Sequence, residues 1–210
     1  MEIMDLVNML ARWGHLLFGM TWIGLLYYFN FIQGGYFKSA TPEGLKDAKA
    51  KLAPEALWWF RWGAMFTFLT GLVLLAGVGK MHVMNDFIVV GAALGTLMFM
   101  NVWMIIWPNQ KIALGIVEGD AAAAGPKALL ASRTNVLFSG PMAFCMMAGP
   151  HFGGYGMGVG STAMWIALAI VAALFINGLK GKQGPMTTVR GVIVSSLVLT
   201  VVLVGILKVL

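Results

Sequence analysis

The sequence has a single cysteine, Cys145, and few charges: only 10% of its 210 residues are Asp, Glu, Lys or Arg. One cysteine excludes an internal disulfide and any cysteine-rich cluster. So little charge beside 60% hydrophobic residues and a mean hydropathy of +0.85 excludes a soluble globular domain. Walker and Rossmann glycine patterns and the hydrolase nucleophile elbow are also missing. No CxxCH pair is present, so no c-type haem attaches to this stretch. Carboxylates do not fall inside the apolar runs, because Glu55 and Asp86 lie at their ends. A proton pump or ion-coupled transporter would ordinarily need such an internal relay. The amino terminus carries Glu2 and Asp5 without a basic cluster, so it does not read as a cleaved signal peptide.

What is present is a series of apolar runs, each long enough to cross about 30 Å of hydrocarbon as a helix. Lipid offers no partner to unpaired backbone groups, so the runs are expected to be helices. The expected fold is an all-α integral membrane protein with one domain over residues 1–210 and about six transmembrane helices. The spans are expected near 11–31, 58–78, 87–107, 134–151, 162–179 and 189–210. Residues 1–10 alternate acidic and apolar side chains and read as a short interfacial helix leading in.

The net charge of +6 raises an anionic partner such as nucleic acid, but in a membrane chain it reads as a topology signal. Lys38, Lys46, Lys49, Lys51, Arg61, Lys111, Lys127, Arg133, Lys180, Lys182 and Arg190 fall on one side of the bundle. Arg12, Lys80 and Lys208 fall on the other. The positive-inside rule then places both termini outside, in the periplasm of a Gram-negative cell. The expected location is the bacterial inner membrane, multi-pass, with no nucleic acid partner. Thr41-Pro42-Glu43 reads as the start of a short cytoplasmic helix, and a second connector over 115–132 reads as broken at Gly125-Pro126. Residues 149–158 read as an external glycine-rich loop. Trp58, Trp59, Trp62 and Trp107 read as an aromatic belt at the cytoplasmic side.

The topology puts all three histidines, His15, His82 and His151, on the outer side. His15 sits in the first apolar run, where an ionisable or metal-binding group marks a functional site. Two histidines from different helices at matching depth are what a b-type haem needs, one imidazole nitrogen on each face of the iron. His15 with His151 is the expected pair, and His82 is a weaker metal candidate. Gly19, one turn from His15, would let a ring approach; Trp22 would pack on it, as would Phe18, Phe144 and Met147. Arg12 would meet a propionate near the surface. Blander readings stand beside each. His15 hydrogen-bonds a neighbouring helix, His151 is an interfacial loop residue, His82 is solvated in a polar loop, and Arg12 is an interface anchor. A zinc or copper site from all three histidines would match in side, although no close His spacing supports it. Asn101 and Asn177 are candidates for hydrogen bonds across helices, while Thr67, Thr70 and Ser139 are candidates for local ones.

Several blocks resemble the bacterial membrane-bound urate hydroxylase family, also catalogued as the urate oxidase N-terminal domain. They are Arg12-Trp13-Gly14-His15 through Trp22-Ile23-Gly24 with Tyr27-Tyr28-Phe29; Leu57 to Trp62; Asn101-Val102-Trp103; and Trp107 to Lys111. Ser132-Arg133-Thr134-Asn135, Pro141-Met142 and His151 complete the set. In that family the membrane domain is followed by a periplasmic cytochrome c domain that receives electrons from urate oxidation. This sequence ends at Leu210 without one, so the resemblance implies a separate periplasmic cytochrome c or a larger respiratory complex as partner. The longer members carry extra histidine and acidic residues around the second span and before the fourth, where this chain has Trp58, Gly63 and Thr134, and they are longer by about two spans. The first expectation is therefore a cytochrome b-like electron-transfer protein holding haem b. A urate hydroxylase membrane subunit, an oxidoreductase, is the alternative. A non-redox accessory subunit of a respiratory complex is the third reading. Expected contacts are the lipid bilayer and, as a further candidate, a second copy of the chain.

Overall fold

The structure is a computed structural model that describes residues 3–80, 84–152 and 159–210. Among the described residues it is helical, without strands. Helix α1 (Ile3–Tyr27) passes through a π-helical turn, Tyr28–Gln33, into α2 (Gly34–Ser39). Then α3 (Pro42–Asp47) passes through a π turn, Ala48–Leu52, into α4 (Ala53–Lys80). Helix α5 (Asp86–Met100) continues through a third π turn, Asn101–Ile106, into α6 (Trp107–Ala113). Helices α7 (Ala121–Phe152), α8 (Thr162–Lys180) and α9 (Val189–Val209) complete the bundle.

Two of the three wide turns run directly into proline, at Pro54 and Pro108. Proline has no N–H and its ring crowds the carbonyl four residues back, so a widened turn lets the rod continue with little bending. The third runs into Gly34-Gly35. The rods are consequently longer than the spans read from hydropathy. Ile3–Ser39 is one run of 37 residues, about 55 Å at 1.5 Å per residue, against about 30 Å of hydrocarbon. Residues 3–10 are the first turns of α1 and not a separate interfacial helix. Thr41 caps the helix expected after Ser39, its Oγ1 accepting from the Gly44 N–H with Pro42 at the first helical position. That helix does not stop, however, and leads into α4. Gly125-Pro126 does not break the next connector either. Asp120 caps the Ala122 and Ala123 N–H groups, and α7 runs through all three of its prolines. Gly115, at φ +74°, supplies the left-handed residue that ends α6.

Among the described residues five rods are long and apolar enough to cross a membrane: Ile3–Ser39, Pro42–Val78, Asp86–Ala113, Thr162–Lys180 and Val189–Val209. The fourth expected span lies in α7, which is long enough but less apolar, for a reason visible in its packing. Every residue from Ala131 to Ser139 is buried, so α7 is surrounded by other helices and not by lipid. Protein neighbours tolerate its Ser132, Arg133, Thr134, Asn135 and Ser139 where lipid would not.

Close approaches set the bundle. Gly178 of α8 lies against Thr134, Gly91 of α5 against Cys145 and the Met146 backbone, and Gly140 of α7 against Ser196 of α9. At one end the Asn85 amide donates to the Gly149 carbonyl, Lys208 donates to the Phe152 carbonyl, and the Gly160 N–H donates to Asp86. The opposite end gathers α2, α3, α6 and the α8–α9 connection, and with them eleven of the fourteen Lys and Arg residues. This is the cation-rich end.

Candidate functional site

His15 faces α4. Its Nδ1 lies 2.9 Å from the Thr67 carbonyl oxygen and 3.2 Å from Thr70 Oγ1. A carbonyl only accepts, so Nδ1 carries the proton and donates. The Thr70 hydroxyl spends its own proton on the Phe66 or Thr67 carbonyl and can therefore accept from the ring as well. The imidazole is thus fixed in one tautomer, and its Nε2 lone pair makes no hydrogen bond among the described residues. This is the arrangement of metal-ligating histidines, in which a backbone carbonyl on one nitrogen orients the other. It also meets the blander expectation that His15 bonds a neighbouring helix.

The glycines of α1 do not leave a slot between α1 and α4. A Cβ on Gly14 would meet the Phe18 ring and Thr70 Cγ2 at 3.5 Å, and one on Gly19 would meet Thr67 Cγ2 at 3.9 Å. On α4, Gly63 abuts the Trp22 backbone and Gly71 abuts the His15 ring. The seam is closed by direct packing, with His15 half-buried in it. Trp22, seven residues from His15 and so on the same stripe of α1, is buried with its indole N–H unpaired. Arg12 is exposed one turn outward from His15.

His151 is exposed at the penultimate position of α7, beside a cleft of about 150 Å³ formed with Phe144, Met147, Ala148 and Phe152. Cofactor sites are usually about 300–1,000 Å³. The two histidines stand at different depths. Phe68 of α4 stacks on Phe99 of α5 at 4.2 Å, and Phe99 lies thirteen residues, roughly 20 Å, below the head of α5 at Asp86. Thr67 and Thr70, which hold His15, flank Phe68, whereas Gly149 is level with Asn85 at that head. His15 therefore lies about 15–20 Å deeper than His151. No contact among the described residues joins them. The reason is that α1 begins at Ile3 and not near Ala11, which carries His15 more than three turns into its helix. The orientation of His15 would suit a metal donor at Nε2, whereas the two levels do not suit one macrocycle shared between His15 and His151. His82 lies outside the described residues, and among the described residues no three His, Cys, Asp or Glu side chains cluster as metal ligands.

Glycine 71 is the sharpest local constraint on the ring. A Cβ there would stand 3.1 Å from His15 Cε1. Gly71→Val is expected to push the imidazole off the Thr67 carbonyl and to weaken any metal bond at Nε2 by roughly 10–100-fold, as loss of an orienting partner does elsewhere. Metal or haem titration checks this, with Gly24→Val as control, since a Cβ on Gly24 meets nothing within 4 Å.

A second concentration of polar groups lies toward the cation-rich end. Asn101 Nδ2 donates to Asn135 Oδ1 at 2.8 Å, and Asn135 Nδ2 donates to the Met98 carbonyl at 2.9 Å. Asn30 Nδ2 donates to the Leu26 carbonyl and to Ser132 Oγ, and the Tyr27 and Ser139 hydroxyls bond at 2.8 Å. Buried atoms left unpaired in the same layer are Asn30 Oδ1, Gln33 Oε1, Asn101 Oδ1, Trp103 Nε1 and Arg133 Nε and Nη1. Asn30, Gln33, Asn101 and Trp103 sit on the first and third π turns, which displace side chains from regular helical register. Asn101 bonds across helices as expected from its position, while Asn30, Gln33 and Arg133 are polar members of the layer that hydropathy alone does not single out. The signal available was the run Ser132-Arg133-Thr134-Asn135, too polar to face lipid. Asn177 bonds the Lys182 carbonyl at its own helix end and not across helices. Trp107 holds the Arg61 guanidinium 3.9 Å from its ring centroid, so it is engaged in a cation–π contact as well as standing at the belt.

The family described as Urate oxidase N-terminal matches residues 78–204, more than half of the chain. Neither curated proteins nor solved structures give a match. The matched stretch holds the Asn101–Asn135 layer, Arg133 and His151, and it begins after His15. The chain belongs to the urate oxidase N-terminal family.

Proposed function

We propose that this chain is a membrane electron-transfer protein, in which His15 Nε2 would hold a haem b through its iron, with a cytochrome c on the outer side as redox partner. The single observation that carries the reading is the His15 ring itself, pinned through Nδ1 to the Thr67 carbonyl with Nε2 left to bind. A haem bound there would supply reversible one-electron exchange. The chain's own contribution is positional. Thr67 and Thr70 fix the tautomer and the plane of the imidazole, and Gly71 gives the ring its room. Arg12, one turn outward, offers a cation to a propionate. His151 is left out of this ligand set because of its level. The charge asymmetry supports an orientation with the cation-rich end in the cytoplasm and His15 in the outer half of a bacterial inner membrane. The test is cytochrome c reduction or oxidation by membranes containing the chain. A rate well above that of membranes with His15→Ala supports the reading, and equal rates contradict it.

The family match favours a second reading, a subunit of a urate-oxidising enzyme that passes electrons outward. Urate-dependent cytochrome c reduction, absent from membranes lacking the chain, would favour it; no response to urate or another purine would count against it.

A further inference from the structure

Arg133 is 8% exposed, and among the described residues its Nε and Nη1 have no partner and no carboxylate pairs with it. A buried guanidinium left alone is costly, and the group that relieves it is an anion. Directly along the same stripe of α7 stand Val136 and Gly140, three and seven residues on. These two line a cleft of about 210 Å³ with Tyr27 and Phe31 of the first rod and Ile193 and Leu197 of α9. Ile193 and Leu197 are exposed, so the cleft opens on the face of the bundle that meets lipid. Helix α9 repeats the spacing of α7: Arg190 precedes Ile193 by three residues and Leu197 by seven. Both helices run away from the cation-rich end, and helical side chains lean back toward their N-termini. Gly140 lies against Ser196, so the register of the two helices puts Arg133 and Arg190 at corresponding levels on the cation-rich side of this apolar cleft, one on each helix that lines it.

We propose that Arg133, Arg190 and this cleft bind an anionic phospholipid, its phosphate between the arginines and an acyl chain along Val136, Gly140 and Leu197. Basic pockets between membrane helices on the cationic side suit such headgroups. The alternative source of the same chemistry, a free oxyanion, has no use for an apolar cleft leading away from the charge. The proposal does not rest on any role for His15.

The test uses the full chain in detergent, read by native mass spectrometry and thermal midpoint against phosphatidylglycerol, phosphatidylcholine and inorganic phosphate. Phosphatidylglycerol is expected to be retained preferentially and to raise the midpoint. Arg133→Gln and Arg190→Gln are each expected to lower that preference about fivefold, the effect of one interfacial cation. Leu197→Trp, which fills the cleft, is expected to release the lipid with both arginines present. Arg190 is exposed, so its variant keeps the test readable where Arg133→Gln lowers stability by itself. Equal binding of both lipids, a preference that survives the double Arg133→Gln, Arg190→Gln variant, or full protection by phosphate alone overturns the proposal.

Discussion

Replacing His15 by alanine is expected to abolish any b-type haem spectrum of this protein while leaving the bundle folded. The ring contributes a neutral hydrogen bond to the Thr67 carbonyl, worth about 0.5–1.5 kcal/mol, against a total stability of roughly 5–15 kcal/mol. A carbonyl that loses this donor still lies within α4 and keeps its helical bonding, so the structural loss is small. The ligand loss is complete, because alanine offers no nitrogen to iron. His151→Ala is expected to leave the spectrum in place, since His151 lies 15–20 Å nearer the bundle end. The pair of variants separates ligation by His15 from the symmetrical two-histidine arrangement. Absorbance spectra of the purified variants, with helical content followed by circular dichroism, check both halves.

The largest expected effect on stability is at Asn135. It is fully buried, donates to the Met98 carbonyl and accepts from Asn101. Hydrogen bonds between membrane helices average only about 0.6 kcal/mol, so the bonds themselves do not decide the outcome. What decides it is the partner left behind. Asn135→Leu strands the Asn101 amide, whose Oδ1 already has no partner among the described residues, in a buried layer. Each such orphan costs about 1–3 kcal/mol. Asn135→Leu is therefore expected to lower stability by about 2–4 kcal/mol, and the double change Asn101→Leu, Asn135→Leu to recover part of it, because both polar partners then leave together. Thermal midpoints of the three proteins in one detergent test this. A single variant as stable as the parent would show that the layer is not what ties α5 to α7.

Much of this molecule is legible in its sequence, and what is not has a common cause. The apolar runs give the rods, Thr41-Pro42 gives a helix start, and the lysines and arginines sort by end. His15 stands out as a histidine in an apolar helix. Its partner does not, because a backbone carbonyl on α4 leaves no trace in composition. The start of the apolar run understates how far His15 lies along its helix, since a helix does not stop where hydrophobicity does: α1 extends back to Ile3 and the rod runs on to Ser39. Pro126 reads as a breaker, yet the Asp120 cap and the helix that follows carry the chain through it. At Pro54 and Pro108 the wide turns before them absorb the missing N–H groups, so the rods continue there too. The π turns are invisible at the level of residue type, and with them the layer of Asn30, Gln33 and Trp103. The polar run at 132–135 is readable in retrospect as the mark of a helix enclosed by protein.

The central claim is that His15 Nε2 binds the iron of a haem. The most direct measurement is the reduced-minus-oxidised absorbance spectrum of the purified full chain, taken beside the His15→Ala variant. A b-type band that scales with protein in the parent and is lost in the variant is the expected result. A parent without such a band, or a variant that keeps it undiminished, contradicts the account.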